Sequence, residues 1–481
     1  MRHLNYINGQ WKEPSTKEYK ENLSPHNSES LGEFPSSAPA DVHDAAAAAK
    51  RAFPAWKKLS IQQRAAYLQR AAAFLKENIE EIGRDLIKEE GKAFSEGMGE
   101  ANRAVSILEY FAAEARQPLG DVIPSASEKT FLYTTRTPLG PVGLITPWNF
   151  PIAIPVWKMA PALIYGNTVV IKPADLTPKS VYYVMKAFDE AGLPAGVLNC
   201  VFGRGSVIGN ELVKHPDIKA ISFTGSNQVG RQIQKQAVEH GKKVQMEMGG
   251  KNPLVVLNDA DLDRAVEITV GGAFKSTGQK CTATSRVIVQ EGIYESFRDL
   301  LVKRTKELTI GNPLHEGTYI GPAVSKAQLD GVLEMIEAGK SEATLLCGGG
   351  IPEEEELKNG FYVKPTIFEN VPRDARIARE EIFGPVLSLF KVKDYEEAVE
   401  MANETEFGLS AAICTNNLTL ARRFVEDAEV GLVHVNSETS GAEPQMPFGG
   451  VKNSSSGSRE QGKAAIEFYT EVKTVYMDPV V

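Results

Sequence analysis

The sequence predicts an α/β protein that contains two α/β domains and a small additional β element. Two successive series of short β-branched runs alternate with amphipathic stretches of helix length. This alternation is typical of parallel sheets with crossover helices. The chain of 481 residues is also long enough for two or three domains of ordinary size.

The N-terminal region is predicted to be mostly helical, because apolar residues recur there at helical spacing. Turn and breaker residues at Gly91, Gly97 and Pro118 punctuate this pattern. The predicted helices cover residues 45–56, 61–90 and 96–116.

Strand candidates follow from residue 141 onwards. The first series covers residues 142–146, 168–171, 197–202, 220–224 and 243–248. The second series covers residues 254–257, 285–290, 344–346, 386–392, 410–415 and 431–436. Two further candidates, 130–135 and 467–477, alternate polar and apolar residues and belong to neither series. Such strands need a partner edge, so we expect them to pair with each other or with a second subunit.

Composition disfavours several classes of function. The net charge of −9 disfavours binding to nucleic acid or to anionic membranes. The N-terminus lacks the apolar segment of a signal peptide, and four prolines interrupt the apolar stretch 144–166, which does not fit a membrane span. Four scattered cysteines and seven scattered histidines favour neither a disulfide framework nor a metal site. We therefore expect a cytoplasmic protein without a metal.

Two glycine-containing segments lie at predicted strand-to-helix junctions. One runs from Gly225 to Gly230, and the other, from Gly203 to Gly209, is one residue longer than the usual dinucleotide fingerprint. Such turns let a helix N-terminus approach a pyrophosphate. Without further context, an ordinary turn between strand and helix is the more frequent explanation.

Reactive or charged side chains occupy three other segments. Lys172 and Asp175 follow a strand, where a lysine can bind ribose hydroxyls and an acidic group favours NAD over NADP. Cys281 stands among small residues that keep a thiol accessible, and a neighbouring lysine would favour its thiolate. Glu247 ends a strand before two glycines, where a carboxylate can act as a general base. Taken singly, each is explained as well by a solvated charge, a helix cap or an inert cysteine.

Occurring together and in one order, these segments resemble the aldehyde dehydrogenase superfamily over nearly the whole chain. The matching stretches, with the number of the first residue, are TPWNFP at 146, KPAD at 172, FTGSNQVG at 223, EMGGKNP at 247, GQKCT at 278, EEIFGPV at 380 and PFGG at 447. The resemblance implies the NAD(P)-dependent oxidation of an aldehyde to a carboxylic acid.

The resemblance also implies roles for individual residues. Cys281 is implied as the nucleophile that forms a thiohemiacetal and then a thioester, and Asn149 as the donor to the oxyanion. Glu247 is implied as the base that activates water to hydrolyse the thioester. The implied cofactor-binding residues are Thr146, Pro147, Trp148, Lys172, Asp175, Gly225, Ser226, Gly230, Glu381 and Phe383. Because Asp175 is negatively charged, we expect NAD as the preferred cofactor and NADP as a tolerated one.

The substrate prediction rests on a narrower resemblance. Residues 276–289 and 446–462 look most like bacterial members that act on α-ketoglutarate semialdehyde (2,5-dioxopentanoate). Lys275 stands where such members commonly have an arginine for a distal carboxylate, and lysine keeps the charge but loses the bidentate fork. A second arginine of the succinate-semialdehyde type would fall at Trp157, where this chain departs from the pattern. We expect a short aldehyde that bears a carboxylate, with Lys275, Phe150, Trp157 and Phe448 as substrate-binding residues.

Alternatives to this substrate and function stay open from the sequence. If Lys275 is solvated, the enzyme would be a broad aliphatic or aromatic aldehyde dehydrogenase. A succinate-semialdehyde dehydrogenase is a separate alternative. An enzyme that passes the thioester to coenzyme A is disfavoured, because Glu247 is present to activate water. A catalytically silent binding or structural protein is disfavoured, because the essential side chains are all present.

The resemblance further implies an arrangement of two Rossmann-like domains and a small β oligomerisation element. The dinucleotide-binding domain would comprise residues 1–118 and 139–249, and the catalytic domain residues 250–449. Residues 119–138 and 450–481 would form the oligomerisation element and the C-terminal tail. Family members are usually homodimers or homotetramers, and we expect the same here.

Overall fold

A computed structural model describes residues 1–479. Its framework is two mostly parallel β-sheets of eight and seven strands, with helices packed on them. The predicted α/β fold class with two α/β units is therefore confirmed. Among residues 1–479, no helix is both long enough and apolar enough to cross a membrane.

The first sheet has five parallel strands at its centre. In spatial order these strands are Leu198–Cys200, Thr168–Lys172, Pro141–Ile145, Ala220–Thr224 and Lys243–Glu247. The chain first adds strands on one side of Pro141–Ile145 and then continues on the other side with Ala220–Thr224. In open α/β sheets, ligands bind beyond the carboxyl ends of the strands at such a reversal.

Buried apolar side chains hold the first sheet against its helices. The strands Pro141–Ile145, Thr168–Lys172 and Ala220–Thr224 are buried along their whole length. Continuous apolar runs of this kind are expected where both faces of a parallel sheet are covered. The helices of this part are Pro39–Trp56, Ala153–Ile164, Pro178–Glu190, Asn210–Lys214 and Asn227–Glu239.

The second sheet is parallel except for one edge strand, which pairs antiparallel with its neighbour. In spatial order its strands are Thr344–Cys347, Thr366–Glu369, Val386–Val392, Thr284–Gln290, Asn252–Val256, Ser410–Cys414 and Leu432–Val435. Only Thr366–Glu369 has no counterpart among the predicted strands. The longer helices of this part are Leu262–Phe274, Tyr294–Lys306, Lys326–Glu342, Tyr395–Asn403 and Leu418–Asp427.

The N-terminal region differs from its prediction in two respects. Its first 35 residues, for which no individual element was predicted, contain four short strands, namely Asn5–Ile7, Gln10–Lys12, Tyr19–Leu23 and Ser30–Pro35. The first of them is defined by a distant partner, since Tyr6 pairs with Cys200 at the edge of the first sheet. In addition, the structure has two helices where a single helix over residues 61–90 was predicted.

The four long helices of this region are Pro39–Trp56, Ile61–Glu77, Ile79–Glu90 and Phe94–Ala113. The break falls at Asn78, whose side-chain Nδ2 donates a hydrogen bond to the Phe74 carbonyl (2.8 Å). Gly97 does not interrupt the last helix. It lies inside that helix, where a β-carbon would collide with Ile87.

The two strand candidates outside the series pair with each other. Phe131–Pro138 runs antiparallel to Thr470–Met477 along its full length, and Val122–Ile123 adds a third strand. The second strand begins later than expected, because Ala465–Tyr469 is a helical turn. Pairing with a second subunit stays a prediction.

The predicted domain boundaries stay a proposal. The strand Ser455–Ser456, within the predicted tail, pairs with Lys243–Glu247 at the edge of the first sheet. Part of the C-terminal segment therefore returns to the first sheet.

Candidate active site

Two cavities meet at Cys281, which lines both. The first, of about 400 Å³, opens beyond the carboxyl ends of the first sheet's strands. The second, of about 300 Å³, lies between the helices Phe94–Ala113 and Ala153–Ile164 and the segment around residue 440. Cys281 is partly exposed, whereas the other three cysteines are buried. A reactive thiol must be reachable, and Cys281 alone among the cysteines meets that condition.

A strained turn presents Cys281 to this junction. Ser276 and Thr277 have φ angles of 54° and 56°, a left-handed conformation that non-glycine residues adopt only where their surroundings hold them. Glu96 holds this turn by accepting hydrogen bonds from the backbone N–H and the hydroxyl of Ser276 (2.9 and 2.8 Å). At Gly278 (φ 68°), a β-carbon would collide with the backbone of Gly384.

The environment of Cys281 favours the protonated thiol. Burial raises its pKa to about 12, with further contributions from the carboxylates of Glu381 and Glu247. The neighbouring Lys280 does not offset this, because its Nζ donates to the Gly271 carbonyl (3.3 Å). The expectation that this lysine favours the thiolate does not hold in this arrangement.

Asn149 lies in the first cavity together with Cys281. Its side chain is buried, and Nδ2 donates to the Gln279 carbonyl (3.0 Å). Lys92 holds the loop that carries Asn149, because its Nζ donates hydrogen bonds both to the backbone carbonyl of Asn149 and to the carboxylate of Glu100. The contact with Glu100 is 2.7 Å long. Glu100 in turn accepts the backbone N–H groups of residues 152 and 153. The amide of Asn149 is thus held in place beside the thiol.

Glu247 lies behind the cavities rather than in them. Its carboxyl group accepts hydrogen bonds from the Ser455 hydroxyl (2.5 Å) and from Gln245 Nε2 (3.2 Å). Burial and the nearby carboxylate of Glu460 raise the pKa of Glu247 well above its ordinary value. This arrangement therefore favours the protonated form of the Glu247 carboxyl group.

A network of buried polar side chains extends from Glu247 through Gln245, and the sequence analysis did not predict it. Ser222 lies 2.6 Å from Gln245 Oε1 and accepts a hydrogen bond from Lys158 Nζ (2.7 Å). Lys158 pairs with Glu460, which also accepts the indole N–H of Trp157 (2.9 Å). The only feature of the sequence that pointed to this network is Lys158, a lysine inside the mostly apolar stretch 144–166.

The first cavity is lined by six of the predicted cofactor residues, namely Pro147, Trp148, Gly225, Ser226, Glu381 and Phe383. The rings of Trp148 and Phe383 meet edge to face, with centroids 5.3 Å apart. Glu381 accepts the Gly250 N–H (3.0 Å), and burial raises the pKa of Glu381 to about 7.

The predicted pyrophosphate turn divides into two parts. Ser226 is exposed and precedes the helix Asn227–Glu239, whose first N–H groups receive no cap from the serine side chain. Gly230 is buried in that helix and does not line the cavity. A β-carbon at Gly230 would lie 2.5 Å from Met248 Sδ, so the helix can approach the sheet only with glycine there.

The predicted ribose-binding pair lies at the end of the strand Thr168–Lys172. Lys172 is 6% exposed, and burial lowers its pKa. Asp175 is salt-bridged to Lys20 (3.4 Å), which partly offsets the negative charge expected to exclude a 2′-phosphate.

Unpartnered polar groups show that these residues fit a dinucleotide. Among residues 1–479, the buried hydroxyls of Thr146 and Thr224 have no hydrogen-bond partner. They stand at the carboxyl ends of adjacent strands, where chain order reverses. Together with an open helix N-terminus after Ser226 and the buried Lys172, they offer hydrogen bonds and positive potential to a phosphate-bearing ligand.

The second cavity contains all four predicted substrate residues. Trp157 and Phe448 form an aromatic wall with ring centroids 5.5 Å apart, and Phe150 adds to it. Lys275 is salt-bridged to Glu438 (2.7 Å). The cavity also exposes residues that the sequence did not single out, above all Arg103 on the helix Phe94–Ala113.

Comparison with known proteins agrees with this geometry. The aldehyde dehydrogenase family model matches residues 11–475. The alpha-ketoglutaric semialdehyde dehydrogenase of Bacillus subtilis (strain 168) is 50% identical over 479 residues, covering 99% of this chain and 98% of the relative.

Solved structures share the fold over the whole chain. An E. coli NADP dependent enzyme has a TM-score of 0.96 and 37% identity, covering 99% of this chain and 98% of that chain. Betaine aldehyde dehydrogenase from Staphylococcus aureus, in complex with NAD+, has a TM-score of 0.97 and 31% identity, covering 100% and 96%. These matches confirm the predicted enzyme class and are consistent with either nicotinamide cofactor. The chain belongs to the aldehyde dehydrogenase family.

Proposed function

We propose that this enzyme oxidises a short aldehyde that bears a carboxylate, such as α-ketoglutarate semialdehyde, to the corresponding acid with NAD(P)+. One observation carries the proposal. Cys281 stands where a cleft suited to a dinucleotide meets a cavity rich in cationic side chains. The name of the Bacillus subtilis relative, at 50% identity, supports the same substrate.

Cys281 acts as the nucleophile in this proposal. The thiol loses its proton to solvent, its sulfur bonds to the aldehyde carbon as the carbonyl π bond breaks, and the carbonyl oxygen becomes an oxyanion. This oxyanion accepts hydrogen bonds from Asn149 Nδ2 and the Cys281 backbone N–H. A preorganised donor of this kind is worth about 3 kcal/mol in the transition state. When bound, NAD(P)+ supplies the hydride acceptor, and the carbon left on Cys281 is a thioester.

Glu247 then acts as the base for hydrolysis. It takes a proton from water, the hydroxide bonds to the thioester carbon, and the carbon–sulfur bond breaks to release the acid and the thiol. To do this, Glu247 must turn from Ser455 toward Cys281 and be ionised. Its raised pKa disfavours the carboxylate form but makes that form a stronger proton acceptor.

The charge of the second cavity supports an acidic substrate. Four cationic side chains line it, Lys92, Arg103, Lys275 and Lys280, against three carboxylates, Glu96, Glu100 and Glu438. The aromatic wall excludes water, and electrostatic attraction is stronger where water is excluded. Phe150, Trp157 and Phe448 hold the hydrocarbon part of the substrate.

The residues of the first cavity hold the cofactor, together with Lys172 and Thr146 at the ends of two strands of the first sheet. Lys172 and Glu381 bind ribose hydroxyls, the turn at Gly225 and Ser226 receives the pyrophosphate, and Phe383 lies beside the nicotinamide. Thr146, Pro147 and Trp148 complete the cleft. NAD is preferred because of Asp175, and NADP is tolerated because Lys20 offsets that charge.

A substrate panel tests this proposal. Reduced nicotinamide would be followed with α-ketoglutarate semialdehyde, succinate semialdehyde, pentanal and benzaldehyde, each with NAD and with NADP, and with Cys281→Ala as the control. We expect turnover that depends on Cys281 and a kcat/KM for the acid semialdehydes at least about tenfold above that for pentanal. Equal turnover of neutral aldehydes would overturn the substrate class, and a requirement for coenzyme A would overturn the hydrolytic step.

A further inference from the structure

We propose that Arg103, rather than Lys275, is the residue that binds the distal carboxylate of the substrate. This inference rests on the proposed function, because it presupposes an acid aldehyde. Arg103 lines the same cavity as Cys281. Four observations support the assignment: its place on a helix, the engagement of the nearby carboxylates, the engagement of the nearby lysines, and its own unmet hydrogen bonding.

Helical spacing brings Arg103 to the cavity. The helix Phe94–Ala113 contributes Glu96, Gly99, Glu100 and Arg103 to the lining. Residues three or four positions apart share one face of a helix, so these four residues form a single stripe. Arg103 is the cation of this stripe.

The carboxylates of the cavity are committed to other groups. Glu96 accepts both hydrogen bonds from Ser276. Glu100 binds Lys92 and two backbone N–H groups, and Glu438 pairs with Lys275 and accepts from Ser440 (3.0 Å). The charge of Arg103 is therefore not cancelled by a direct partner in the lining.

The lysines of the cavity are committed as well. Lys92 is buried and bound to Glu100 and the Asn149 carbonyl. Lys275 is neutralised by its 2.7 Å contact with Glu438. Lys280 turns to the Gly271 carbonyl and Ser440. At Lys92 and Lys275, an incoming carboxylate would have to compete with a carboxylate that already balances the charge of the lysine.

Arg103 differs from these lysines in its hydrogen bonding. Its Nη2 is buried, and no hydrogen-bond acceptor within residues 1–479 reaches it. A buried donor without a partner costs free energy that an acceptor would recover. A guanidinium offers two parallel N–H groups to a carboxylate, so a substrate carboxylate satisfies this donor and gains a bidentate contact.

The test compares Arg103→Met, Arg103→Lys and Lys275→Met for α-ketoglutarate semialdehyde and for pentanal. We expect Arg103→Met to lower kcat/KM for the acid aldehyde about 10- to 100-fold, mostly through KM, and to change the value for pentanal far less. Arg103→Lys should retain part of the activity, since it keeps the charge without the fork. Lys275→Met should cost less than Arg103→Met.

Binding of glutarate gives a readout that does not depend on turnover. This C5 dicarboxylate should slow alkylation of Cys281 in the parent enzyme and in Lys275→Met but not in Arg103→Met. Equal losses for both aldehydes in Arg103→Met, or a larger loss in Lys275→Met, would overturn the inference and leave the proposed function standing. If the parent enzyme itself does not prefer the acid aldehyde, the proposed function fails first.

Discussion

At the residue scale, burial favours the protonated form of both groups that are proposed to react, Cys281 and Glu247. Burial raises the pKa of the Cys281 thiol to about 12 and the pKa of Glu247 well above its ordinary value. The carboxylate form of Glu247 becomes more abundant as pH rises. The hydrolytic step should therefore depend on pH.

We predict that Glu247→Gln separates the two chemical steps. Glutamine cannot take a proton from water, so the thioester should accumulate after one rapid turnover. Rapid mixing should show a burst of about one reduced cofactor per active site, followed by a steady state lower by about 10²- to 10⁴-fold. In the parent enzyme, hydrolysis should accelerate as pH rises toward the raised pKa of Glu247 and fall as pH drops.

The matched control is Glu239→Gln, because Glu239 is exposed on the helix Asn227–Glu239. It should behave like the parent enzyme. A Glu247→Gln variant that loses the burst together with the steady state would assign Glu247 to an earlier step than hydrolysis.

At the element scale, an ion pair between a loop and a helix fixes the loop of Asn149, the proposed oxyanion donor. Lys92 precedes the helix Phe94–Ala113, binds Glu100 eight residues further on, and donates to the Asn149 carbonyl. Glu100 is 4% exposed and holds the N–H groups at the start of the helix Ala153–Ile164. Two helices and the loop of Asn149 are thus tied at one point.

We predict that Lys92→Met both destabilises the enzyme and lowers kcat. Removing one partner of a buried ion pair leaves an uncompensated charge and costs about 3–5 kcal/mol. The Asn149 loop loses its support, so the oxyanion donor is less well placed. Thermal unfolding and kcat would be measured beside Lys76→Met, an exposed lysine on the helix Ile61–Glu77. A lowered Tm with kcat intact would show that the pair is structural only.

The elements themselves were largely predictable, because periodicity is local. All five central strands of the first sheet and six of the seven strands of the second sheet lie close to their predicted positions. The exceptions are strands such as Asn5–Ile7 and Thr366–Glu369, which are three and four residues long. Pairing with distant neighbours defines these strands, and no local pattern reveals such pairing.

At the scale of the whole molecule, the small antiparallel sheet leaves an apolar surface uncovered. Val472 and Tyr476 of the strand Thr470–Met477 are 52% and 72% exposed, and Ile123, which the strand register places on the same face, is 46% exposed. Large exposed apolar groups clustered on one sheet are typical of a protein interface. This agrees with the expectation of a homodimer or homotetramer.

We predict that the double variant Val472→Lys with Tyr476→Lys dissociates the assembly. Two charges on this face would have to be desolvated to keep an interface. Light scattering after size-exclusion chromatography should show a dimer or tetramer for the parent enzyme and a smaller species for the variant. Val238→Lys, a 60% exposed apolar residue of the helix Asn227–Glu239, should keep the parent's mass. A parent enzyme that elutes as a monomer would contradict the prediction.

The sequence by itself determined the fold class, the family and the residues proposed for catalysis. It could do so because strand and helix periods and short ordered motifs are properties of neighbouring residues. Cys281, Asn149 and the aromatic residues of the second cavity could all be named before any contact was known. Lys275 could be named too, but only as a positive charge near the nucleophile.

Only the tertiary structure decided how the charges are paired. Glu438 lies 163 positions from Lys275 and neutralises it, while Arg103 remains with a buried, unpartnered nitrogen in the same cavity. Likewise, Glu460 meets Lys158 across 302 positions. Whether a charge is free, paired or buried depends on contacts between residues distant in the chain, because Coulomb and desolvation energies follow distance in space and not position in sequence.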